Sequence, residues 1–599
     1  MEINTLNDVY FAVVGRDLDR VMMVRRNGVW TSVSAAQLRR WVLSMARQLQ
    51  AWGVTKGDRV VLLSENRPEW AVADFATLLV GGIVVPIYAT QTPEQVLYVL
   101  KHSEAHIAIV SSRKQFEKVK SVRAESKLER IVVMDDVDDV PDVPQMRYLL
   151  NRQNDVEHAA IEAYAHSIRP DDVATLIYTS GTTGTPKGVI LTHGNIASNL
   201  AVTAQLVGIG PEDVGVSFLP LSHITARHVD YLMFLRGVTI AYCPNFEHLP
   251  RTLLEIRPTL FIGVPRVYEK VHNQILLKMV GVKRKIFEWS LSVGRRYREQ
   301  VLNDETPRAV SWKLANKLVY SKIREGVGGQ ARLFISGGAP LGRELAAWYA
   351  DIGIRIDEGY GLTETSPVIA VNVPSSHRLG TVGRVLDNLE VKIAADGEVL
   401  VRGPSVFKGY WNMPEETVAS FEDDWFKTGD IGQVDDDGYL SITDRKKDLI
   451  KTSGGKFIAP QPIENSFKAN VFVGEAAVVG DKRKFPSVLI VPNFTVLEEW
   501  AAAHDIGFTS RKELVRSPQV RMLYQGIVDE LNSNLARFEK LKKFLLLPEE
   551  LSIADGTLTP SMKLRRRHLE QRYHRQIEAM YAEELPAGKA ERVAEPVKR

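Results

Sequence analysis

The first third of the chain alternates between two patterns of apolar residues. Short runs of continuous apolar residues predict buried strands at residues 58–64, 83–88, 106–111 and 130–135. Between these strands the apolar residues have the spacing of helices. Pro68 suits the first turn of one predicted helix, and Pro93–Ser103 is the next predicted helix. Strands that alternate with helices of about 10–15 residues predict a parallel sheet covered by helices on both faces. Ligands of such sheets usually bind beyond the carboxyl ends of the strands.

The pattern changes farther along the chain. A predicted strand at 173–178 ends in a loop rich in glycine and hydroxyl groups, and residues 266–325 are helical in composition and basic, with fourteen Lys and Arg against six Asp and Glu. Short β-type pieces with glycine turns follow at 398–439, and helices and strands are mixed after the DRKK segment. We therefore expect a large α/β region of several subdomains with parallel sheets at 1–443, a small α+β domain at 448–588 and a disordered tail at 589–599.

Composition places the chain among globular proteins and removes several classes of function. Of its 599 residues 45% are apolar and 25% charged, and the net charge of +3 argues against nucleic acid as a partner. The single cysteine, Cys243, excludes a disulfide framework and a cysteine-rich metal site, and it fits a reducing cytosol. The longest apolar run, residues 75–87, is too short and too rich in glycine and proline to span a bilayer, so we expect a buried helix end and a core strand. With no secretory signal visible, we expect a cytoplasmic protein.

The densest chemical signal is the segment YTSGTTGTPKG, residues 178–188, directly after a predicted strand. Glycines let backbone N–H groups approach an anion, hydroxyl groups add donors, and Lys187 adds positive charge. The segment is not a Walker A loop, because Pro186 precedes the lysine where that motif needs glycine. We expect a phosphate-binding loop rather than an ordinary surface turn.

Six motifs, in order, resemble those of the adenylate-forming superfamily, which includes acyl-CoA synthetases, peptide-synthetase adenylation domains and luciferases. They are YTSGTTGTPKG, SGGAP (336–340), DEGYGLTET (357–365), TGD (428–430), DR (444–445) and LTPSMKLRR (558–566). The resemblance implies the acyl-CoA synthetase/luciferase-like fold, with the active site between a large N-terminal region and a small mobile C-terminal domain. It also implies two half-reactions. A carboxylate attacks the α-phosphate of ATP to give an acyl-adenylate and pyrophosphate, and a thiol, usually of CoA, then displaces AMP.

By the same resemblance each matching residue takes a role. Glu364 would ligate Mg²⁺, a hard cation that prefers oxygen ligands, and Thr363 would contact the α-phosphate. Lys563 would bridge the substrate carboxylate and the α-phosphate during adenylation, where the alternative for such a basic run is a solvated face. Tyr360 would stack on adenine, and Asp430 would accept hydrogen bonds from the ribose hydroxyl groups. The full set of expected ATP and AMP contacts is Thr179, Ser180, Gly181, Thr182, Thr183, Gly184, Lys187, Gly338, Ala339, Pro340, Tyr360, Gly361, Thr363, Asp430 and Arg445.

The resemblance also implies motion between the two half-reactions, because pyrophosphate blocks the path of the thiol. Lys447 matches the family's hinge position within the segment 444–447, and rotation there would replace Lys563 by the segment KTSGGK, residues 451–456. We expect Lys451 to be catalytic at the thioester-forming site and the small residues Gly454 and Gly455 to admit CoA, with a plain β-turn as the alternative. His223 lies where the family's LPxxH segment lines the acyl pocket, and a structural histidine is the alternative.

Two regions resemble the long-chain fatty acyl-CoA synthetase branch: residues 425–448, next to an Asp424 where that signature usually has glycine, and the basic stretch 266–325. This implies a long-chain fatty acid:CoA ligase that uses ATP, CoA and Mg²⁺. A fatty acyl-AMP ligase or another aryl- or acyl-acid ligase with a different thiol acceptor stays open, as does a luciferase-like oxygenase. A non-catalytic nucleotide-binding regulator would have lost Lys563, Glu364 or Asp430, and all three are present. The basic stretch is either a contact with anionic lipid at the inner face of a membrane or a solvated helix surface. The pattern carries no signal for the oligomeric state.

Overall fold

The computed structural model describes residues 3–137, 143–150, 155–180, 185–279, 281–453, 456–552, 555–559 and 564–582, with backbone alone at 155–157 and 180. These residues form two compact units, the first ending at Lys447 and the second beginning at Asp448. Both contain helices and strands, so the α/β class predicted from the sequence is confirmed.

The chain up to Thr192 alternates strands and helices as its apolar pattern predicts. Pro68 is the first residue of its helix, and the apolar run at 75–87 is the buried end of that helix followed by a core strand, as expected. The elements are α1 Leu6–Val14, β1 Met22–Arg26, β2 Val29–Val33, α2 Ala35–Ala51, β3 Arg59–Leu63, α3 Pro68–Leu79, β4 Ile83–Ile87, α4 Pro93–Ser103, β5 Ile107–Val110, α5 Arg113–Val122, β6 Arg130–Val133, α6 Met146–Leu149, α7 Asp155–Ala165, β7 Val173–Ser180 and β8 Pro186–Thr192.

The rest of the first unit begins with further strand and helix pairs, passes through the helical stretch, and ends in short strands. A π-helical turn, Asn316–Tyr320, joins two of the helices, and a short 3₁₀ turn, Thr363–Thr365, follows a strand. The elements are α8 His193–Leu206, β9 Val214–Ser217, α9 Ile224–Arg236, β10 Thr239–Tyr242, α10 Leu249–Ile256, β11 Leu260–Gly263, α11 Pro265–Leu277, α12 Val282–Leu302, α13 Val310–Ala315, α14 Ser321–Glu325, β12 Leu333–Gly337, α15 Arg343–Asp351, β13 Asp357–Gly361, β14 Val368–Val371, β15 Arg384–Val385, β16 Glu390–Ile393, β17 Glu398–Arg402, β18 Gly409–Tyr410, α16 Pro414–Ala419, β19 Phe421–Glu422, β20 Trp425–Val434 and β21 Leu440–Arg445.

Two large sheets organise the first unit. One has seven strands in the order β18-β8-β7-β4-β3-β5-β6, and β7, β4, β3, β5 and β6 run parallel. β8 pairs antiparallel with β7, and β18 pairs antiparallel with β8. The expected parallel sheet does not include these two antiparallel strands. The other sheet has nine strands in the order β15-β14-β13-β12-β11-β9-β10-β1-β2, parallel from β13 to β1. The carboxyl ends of β7 in the first sheet and of β12 and β13 in the second lead into predicted nucleotide motifs.

A third, five-stranded sheet carries the last motifs of the first unit. Its strands lie in the order β16-β17-β20-β19, with β21 also paired to β20. Residues 444–447, predicted as a hinge segment, lie in this unit: Arg445 pairs with Asp430, and Lys446 contacts the carboxylates of Asp396 and Glu398, both at 2.6 Å.

The second unit has its own hydrophobic core around a three-stranded sheet, β24-β25-β26. Its elements are β22 Ile450–Lys451, β23 Phe457–Ile458, α17 Pro460–Lys468, β24 Val473–Val479, β25 Ser487–Pro492, α18 Phe494–Ala503, α19 Arg511–Leu514, α20 Pro518–Ser533, β26 Phe544–Leu546, α21 Arg566–Arg572 and α22 His574–Tyr581. Across the described part of both units, none of the helices combines the length and apolar character needed to cross a bilayer.

Candidate nucleotide site

The predicted phosphate-binding segment runs from the end of β7 to the start of β8, two strands that pair antiparallel. Thr179 pairs with Lys187 and Ser180 with Pro186, so Thr179 and Lys187 lie on strands and not in a loop as the glycine-rich pattern predicts. Antiparallel pairing engages the backbone groups of the described residues on both strands. The predicted contacts Gly181, Thr182, Thr183 and Gly184 lie outside the described residues, as does the side chain of Ser180.

Aromatic side chains hold the base of this hairpin. The Tyr98 hydroxyl donates to the carbonyl of Pro186 at 2.7 Å, and the Tyr178 hydroxyl lies 2.9 Å from Nδ1 of His102. The backbone N–H of Trp411 donates to the carbonyl of Gly188 at 2.7 Å. A Cβ at Gly188 would lie 3.2 Å from the Tyr178 ring, so glycine lets the ring pack against the opposite strand. Both strands therefore enter the predicted segment from fixed positions.

Tyr360, Asp430 and Arg445 come together although they lie on different strands. The Tyr360 hydroxyl donates to Oδ2 of Asp430 at 2.7 Å, and Nε of Arg445 lies 2.9 Å from Oδ1 of the same carboxylate. Asp430 and Arg445 are register partners on β20 and β21, which places their side chains beside each other. Burial, together with the negative charge of Asp430, raises the pKa of Tyr360, so its hydroxyl stays a donor. Asp430 itself is buried, and a carboxylate with both oxygens engaged is held rigidly.

Thr363 and Glu364 begin the 3₁₀ turn after β13. The Glu364 carboxylate accepts a hydrogen bond from the Tyr410 hydroxyl at 3.0 Å, and the Lys187 ammonium lies over the Tyr410 ring, 4.9 Å from its centroid. Tyr410 thus connects Lys187 of the β7–β8 hairpin with Glu364 of the DEGYGLTET motif. Burial raises the pKa of Glu364, while the hydrogen bond from Tyr410 opposes that rise.

The segment Gly338–Pro340 leaves the carboxyl end of β12, beside Tyr360 on the neighbouring strand β13. Gly338 has φ +84°, a conformation that glycine adopts without strain. The backbone N–H of Leu341 donates to Oε2 of Glu358 at 3.2 Å, which ties the segment to β13. Burial raises the pKa of Glu358 to about 7.

Gly361 follows Tyr360 at a close backbone approach. A Cβ at Gly361 would lie 1.8 Å from the carbonyl oxygen of Pro367, so no larger residue fits without moving the backbone. The small size of Gly361 lets β14 pair with β13 at the residue next to Tyr360.

His223 caps a helix. It is the N-cap residue of α9, and its Nδ1 accepts a hydrogen bond from the backbone N–H of Thr225 at 3.2 Å. The cap is a structural role for His223, and the expected place at the acyl pocket stays a prediction.

The residues expected to serve the second half-reaction lie on the second unit or outside the described chain. Lys451 is on β22, where its backbone N–H donates to Asp481 at 3.1 Å and its ammonium lies over the Phe457 ring at 5.2 Å. Lys447 is the last residue of the first unit. Gly454, Gly455 and Lys563 lie outside the described residues.

Tyr410 is the main residue that sequence reasoning missed. Its segment, KGYWNMPEE, carries no charge pattern at the tyrosine, and its partners lie 46 and 223 positions away in the chain. The pairing of β18 with β8 creates this contact, and no local pattern predicts it. The burial of Glu358 was also missed, because the strand sequence DEGYG has no apolar pattern that marks this position as buried.

The described residues contain no cluster of three or more His, Cys, Asp or Glu side chains arranged to hold a metal ion. A single carboxylate such as Glu364 still fits Mg²⁺, which is commonly bound by one or two carboxylates, water and substrate phosphates. The donor set is therefore compatible with a magnesium ion that arrives with the nucleotide.

Comparison with known proteins gives matches over nearly the whole chain. The long-chain-fatty-acid–CoA ligase FadD15 of Mycobacterium tuberculosis is 36% identical over 566 residues, covering 93% of this chain and 94% of that protein. The peroxisomal long chain acyl-CoA synthetase 7 of Arabidopsis thaliana is 33% identical, covering 97% of this chain and 87% of that protein.

Solved structures share the fold at lower identity. The anthranilate CoA ligase AuaEII in complex with anthranoyl-AMP has a TM-score of 0.72 at 19% identity, covering 97% of this chain and 99% of that one. The adenylation domain of a carboxylate reductase from Mycobacterium chelonae has a TM-score of 0.74 at 22% identity, covering 97% and 91%. The family described as AMP-binding enzyme matches residues 11–411, and the AMP-binding enzyme C-terminal domain matches residues 447–585. The chain therefore belongs to the family of AMP-binding enzymes.

Proposed function

We propose that the protein activates a long-chain fatty acid with ATP and transfers the acyl group to CoA, releasing pyrophosphate and AMP. The observation that carries the proposal is the 36% identity, over 93% of the chain, to relatives named as long-chain-fatty-acid–CoA ligases. The arrangement of the nucleotide motifs in the first unit supports it.

The first half-reaction sets the demands on the site. An anionic carboxylate must approach an anionic triphosphate, so positive charge and alignment lower the barrier most. Lys187, which pairs with Thr179 at the start of β8, is suited to the β- and γ-phosphates, because it brings a cation to the predicted phosphate-binding segment. Thr363, buried at the start of the 3₁₀ turn, is the proposed contact of the α-phosphate.

The nucleoside end is assigned to Tyr360 and Asp430. Tyr360 lies near the carboxyl end of β13, next to the segment Gly338–Pro340. We assign the two sides of the adenine ring to Tyr360 and to this segment. The Asp430 carboxylate, held by Tyr360 and Arg445, has further lone pairs that accept hydrogen bonds from the ribose hydroxyl groups. Buried carboxylates fixed in this way give strong, oriented acceptors.

Glu364 is the proposed protein ligand of Mg²⁺. A magnesium ion bound with the nucleotide neutralises phosphate charge at the reacting centre. The chain's own contribution is to hold the Glu364 carboxylate in place through Tyr410.

We propose that different lysines serve the two half-reactions. We assign adenylation to Lys563 and thioester formation to a site with Lys451, Gly454 and Gly455, with Lys447 as the hinge. The assigned domains are residues 1–443, the hinge 444–447 and 448–588, with a tail at 589–599. A pocket role for His223 and a cytoplasmic location complete the proposal.

The main experiment incubates the purified protein with palmitate, ATP and Mg²⁺, with and without CoA, and identifies the products by mass spectrometry. Palmitoyl-CoA and AMP that form only with CoA support the proposal. Palmitoyl-adenylate that accumulates without conversion favours an acyl-AMP ligase that serves another thiol. No product from palmitate, but product from aryl or shorter acids, refutes the long-chain assignment.

Two substitutions separate the half-reactions. Lys563→Ala should cut adenylate formation far more than thioester formation from supplied acyl-adenylate, and Arg567→Ala in the same basic run is the control. Equal loss in both steps would remove Lys563 from its role. Lys447→Pro should spare adenylation and impair thioester formation, and unchanged overall turnover would refute the hinge.

A further inference from the structure

The helical stretch of the first unit exposes apolar side chains in an unusual concentration. Sixteen large hydrophobic residues are exposed in the described part of the chain, and six of them fall between residues 282 and 318. Val282 is 75% exposed and Val310 83%. The six residues, which we call the docking face, are Val282, Ile286, Trp289, Val310, Leu314 and Leu318.

Helical spacing puts three of these side chains on one flank of α12. Val282, Ile286 and Trp289 are spaced i, i+4 and i+7, and the same row continues through Val293 to Tyr297. The Tyr297 ring contacts the Trp312 ring of α13 with centroids 6.0 Å apart. The exposed row of α12 therefore lies on the side of that helix where α13 packs.

The neighbouring helix carries the other half of the docking face. Val310, Leu314 and Leu318 are spaced i, i+4 and i+8 along α13 and the π-helical turn after it, and all three stay exposed while Trp312 and Tyr320 are buried. The Tyr320 hydroxyl donates to the carbonyl of Ser290 at 2.6 Å, which joins this turn to α12. Two adjacent helices thus present apolar rows to the outside of the unit.

Basic residues accompany both rows. Lys285 and Arg296 lie at helical positions next to the exposed row of α12, and Lys313 and Lys317 alternate with the apolar residues of α13. Within the described residues none of these four forms an ion pair, whereas Arg284 and Arg298 on the same helix pair with Glu288 and Asp351. The docking face therefore joins apolar side chains to positive charges that form no ion pair with the described part of the chain.

We propose that the docking face lies on an anionic phospholipid membrane. Lysine is depleted in protein–protein interfaces, whereas an apolar row with Trp and flanking Lys and Arg suits the boundary between head groups and acyl chains. Anionic lipids attract juxtamembrane Lys and Arg by about 1 kcal/mol each. The reason for such docking rests on the proposed function, because a long-chain fatty acid partitions into membranes.

Binding to vesicles tests the proposal directly. The wild-type protein should sediment with vesicles of phosphatidylcholine and phosphatidylglycerol, bind pure phosphatidylcholine vesicles less, and lose part of its binding in high salt. Lys313→Glu with Lys317→Glu should weaken binding to the anionic vesicles by roughly 30-fold or more. Val310→Ser, Leu314→Ser and Leu318→Ser together should weaken it by at least about tenfold.

Matched controls come from exposed valines elsewhere. Val29→Ser and Val418→Ser change side chains that are 65% and 75% exposed, and they should bind vesicles as the wild type does. Because all substituted side chains are exposed, thermal unfolding should stay unchanged. Wild-type binding that is absent, or serine and glutamate variants that bind like the wild type, overturns the proposal. A dimer that the serine variant dissociates assigns the face to a second copy and also overturns it.

The outcomes for membrane docking and for the proposed function are separable. Acyl-CoA formation from a short fatty acid dissolved in water should be equal in the wild type and the docking-face variants, while formation from palmitate loaded in anionic vesicles should fall. A wild type that binds vesicles but makes no acyl-CoA from any acid refutes the function and leaves the docking face. A wild type that makes palmitoyl-CoA but never binds vesicles refutes membrane docking and leaves the proposed function.

Discussion

Replacing Tyr410 by Phe removes a single hydroxyl group from the centre of the candidate site. The hydroxyl donates to Glu364 at 3.0 Å, whereas the ring under the Lys187 ammonium, 4.9 Å away, is kept. The substitution therefore separates two contacts of one side chain. It leaves Glu364 without its donor and Lys187 with its aromatic partner.

The size of the effect follows from the kind of bond removed. A hydrogen bond to a charged group contributes about 1.5–3 kcal/mol, and a tenfold change in rate corresponds to about 1.4 kcal/mol. Tyr410→Phe should thus lower kcat/KM for adenylation by roughly 10- to 100-fold and raise the Mg²⁺ concentration needed for half-maximal rate. Tyr410→Leu also removes the cation–π contact, worth about 0.5–2 kcal/mol, and should raise the KM for ATP further.

The assay is pyrophosphate release with palmitate at varied Mg²⁺ and ATP, together with the binding of ATP by calorimetry in the absence of the metal. Tyr439→Phe is the matched control, because that hydroxyl lies 2.9 Å from the Ser376 hydroxyl and its ring carries Arg378 at 4.1 Å, away from Glu364. ATP binding without metal should be unchanged in Tyr410→Phe. Kinetics of Tyr410→Phe within twofold of wild type, or equal losses in both phenylalanine variants, would refute the reasoning.

Three further predictions concern charge and stability. Asp430→Asn should weaken AMP binding in calorimetry by roughly 10- to 100-fold, because a charge-assisted acceptor is lost, while Asp435→Asn, which changes an exposed ion pair, should leave it unchanged. Burial lowers the pKa of His228 from 6.5 to about 3, so between these pH values the unfolded chain binds more protons than the folded one. The free energy of unfolding should therefore fall as the pH drops from 6.5 towards 3. In urea unfolding, His228→Gln should reduce the difference in the free energy of unfolding between pH 8 and pH 5. Arg227→Met leaves the buried carboxylate of Asp74 unpaired and should cost about 3–5 kcal/mol in urea unfolding, much of it recovered when Asp74→Leu is added. If Arg227→Met has the free energy of unfolding of the wild type, the ion pair between Arg227 and Asp74 is not needed for stability.

Local pattern was enough to predict the repeating part of the fold. Residues 58–64 and 83–88 contain the strands Arg59–Leu63 and Ile83–Ile87, because buried parallel strands are continuous apolar runs. Pro68 marks its helix start because its fixed φ suits the first turn. These properties depend on neighbours in the chain, which a sequence shows directly.

Contacts between distant segments could not be predicted in this way. The antiparallel addition of β18 to β8 depends on pairing Tyr410 with Val189, which no periodicity specifies. The sequence motifs named Tyr360, Asp430 and Arg445 separately, and the structure shows them joined in one hydrogen-bonded group. The exposure of Val310 was equally hidden, because an apolar residue in a helical pattern is normally assigned to the core.

The nine-stranded sheet has a consequence for the synthesis of the chain. Its strand β1 pairs with β10, Met22 opposite Ile240, so the N-terminal hairpin stays without its neighbour until some 200 residues more have left the ribosome. At about 5–20 residues per second this interval lasts roughly 10–40 s. Throughout it the nascent chain carries the strand MMVRR with one edge unpaired, the kind of edge that pairs wrongly with other chains. The order of strands in the finished sheet therefore makes residues 22–33 a segment for chaperones that act during translation to protect.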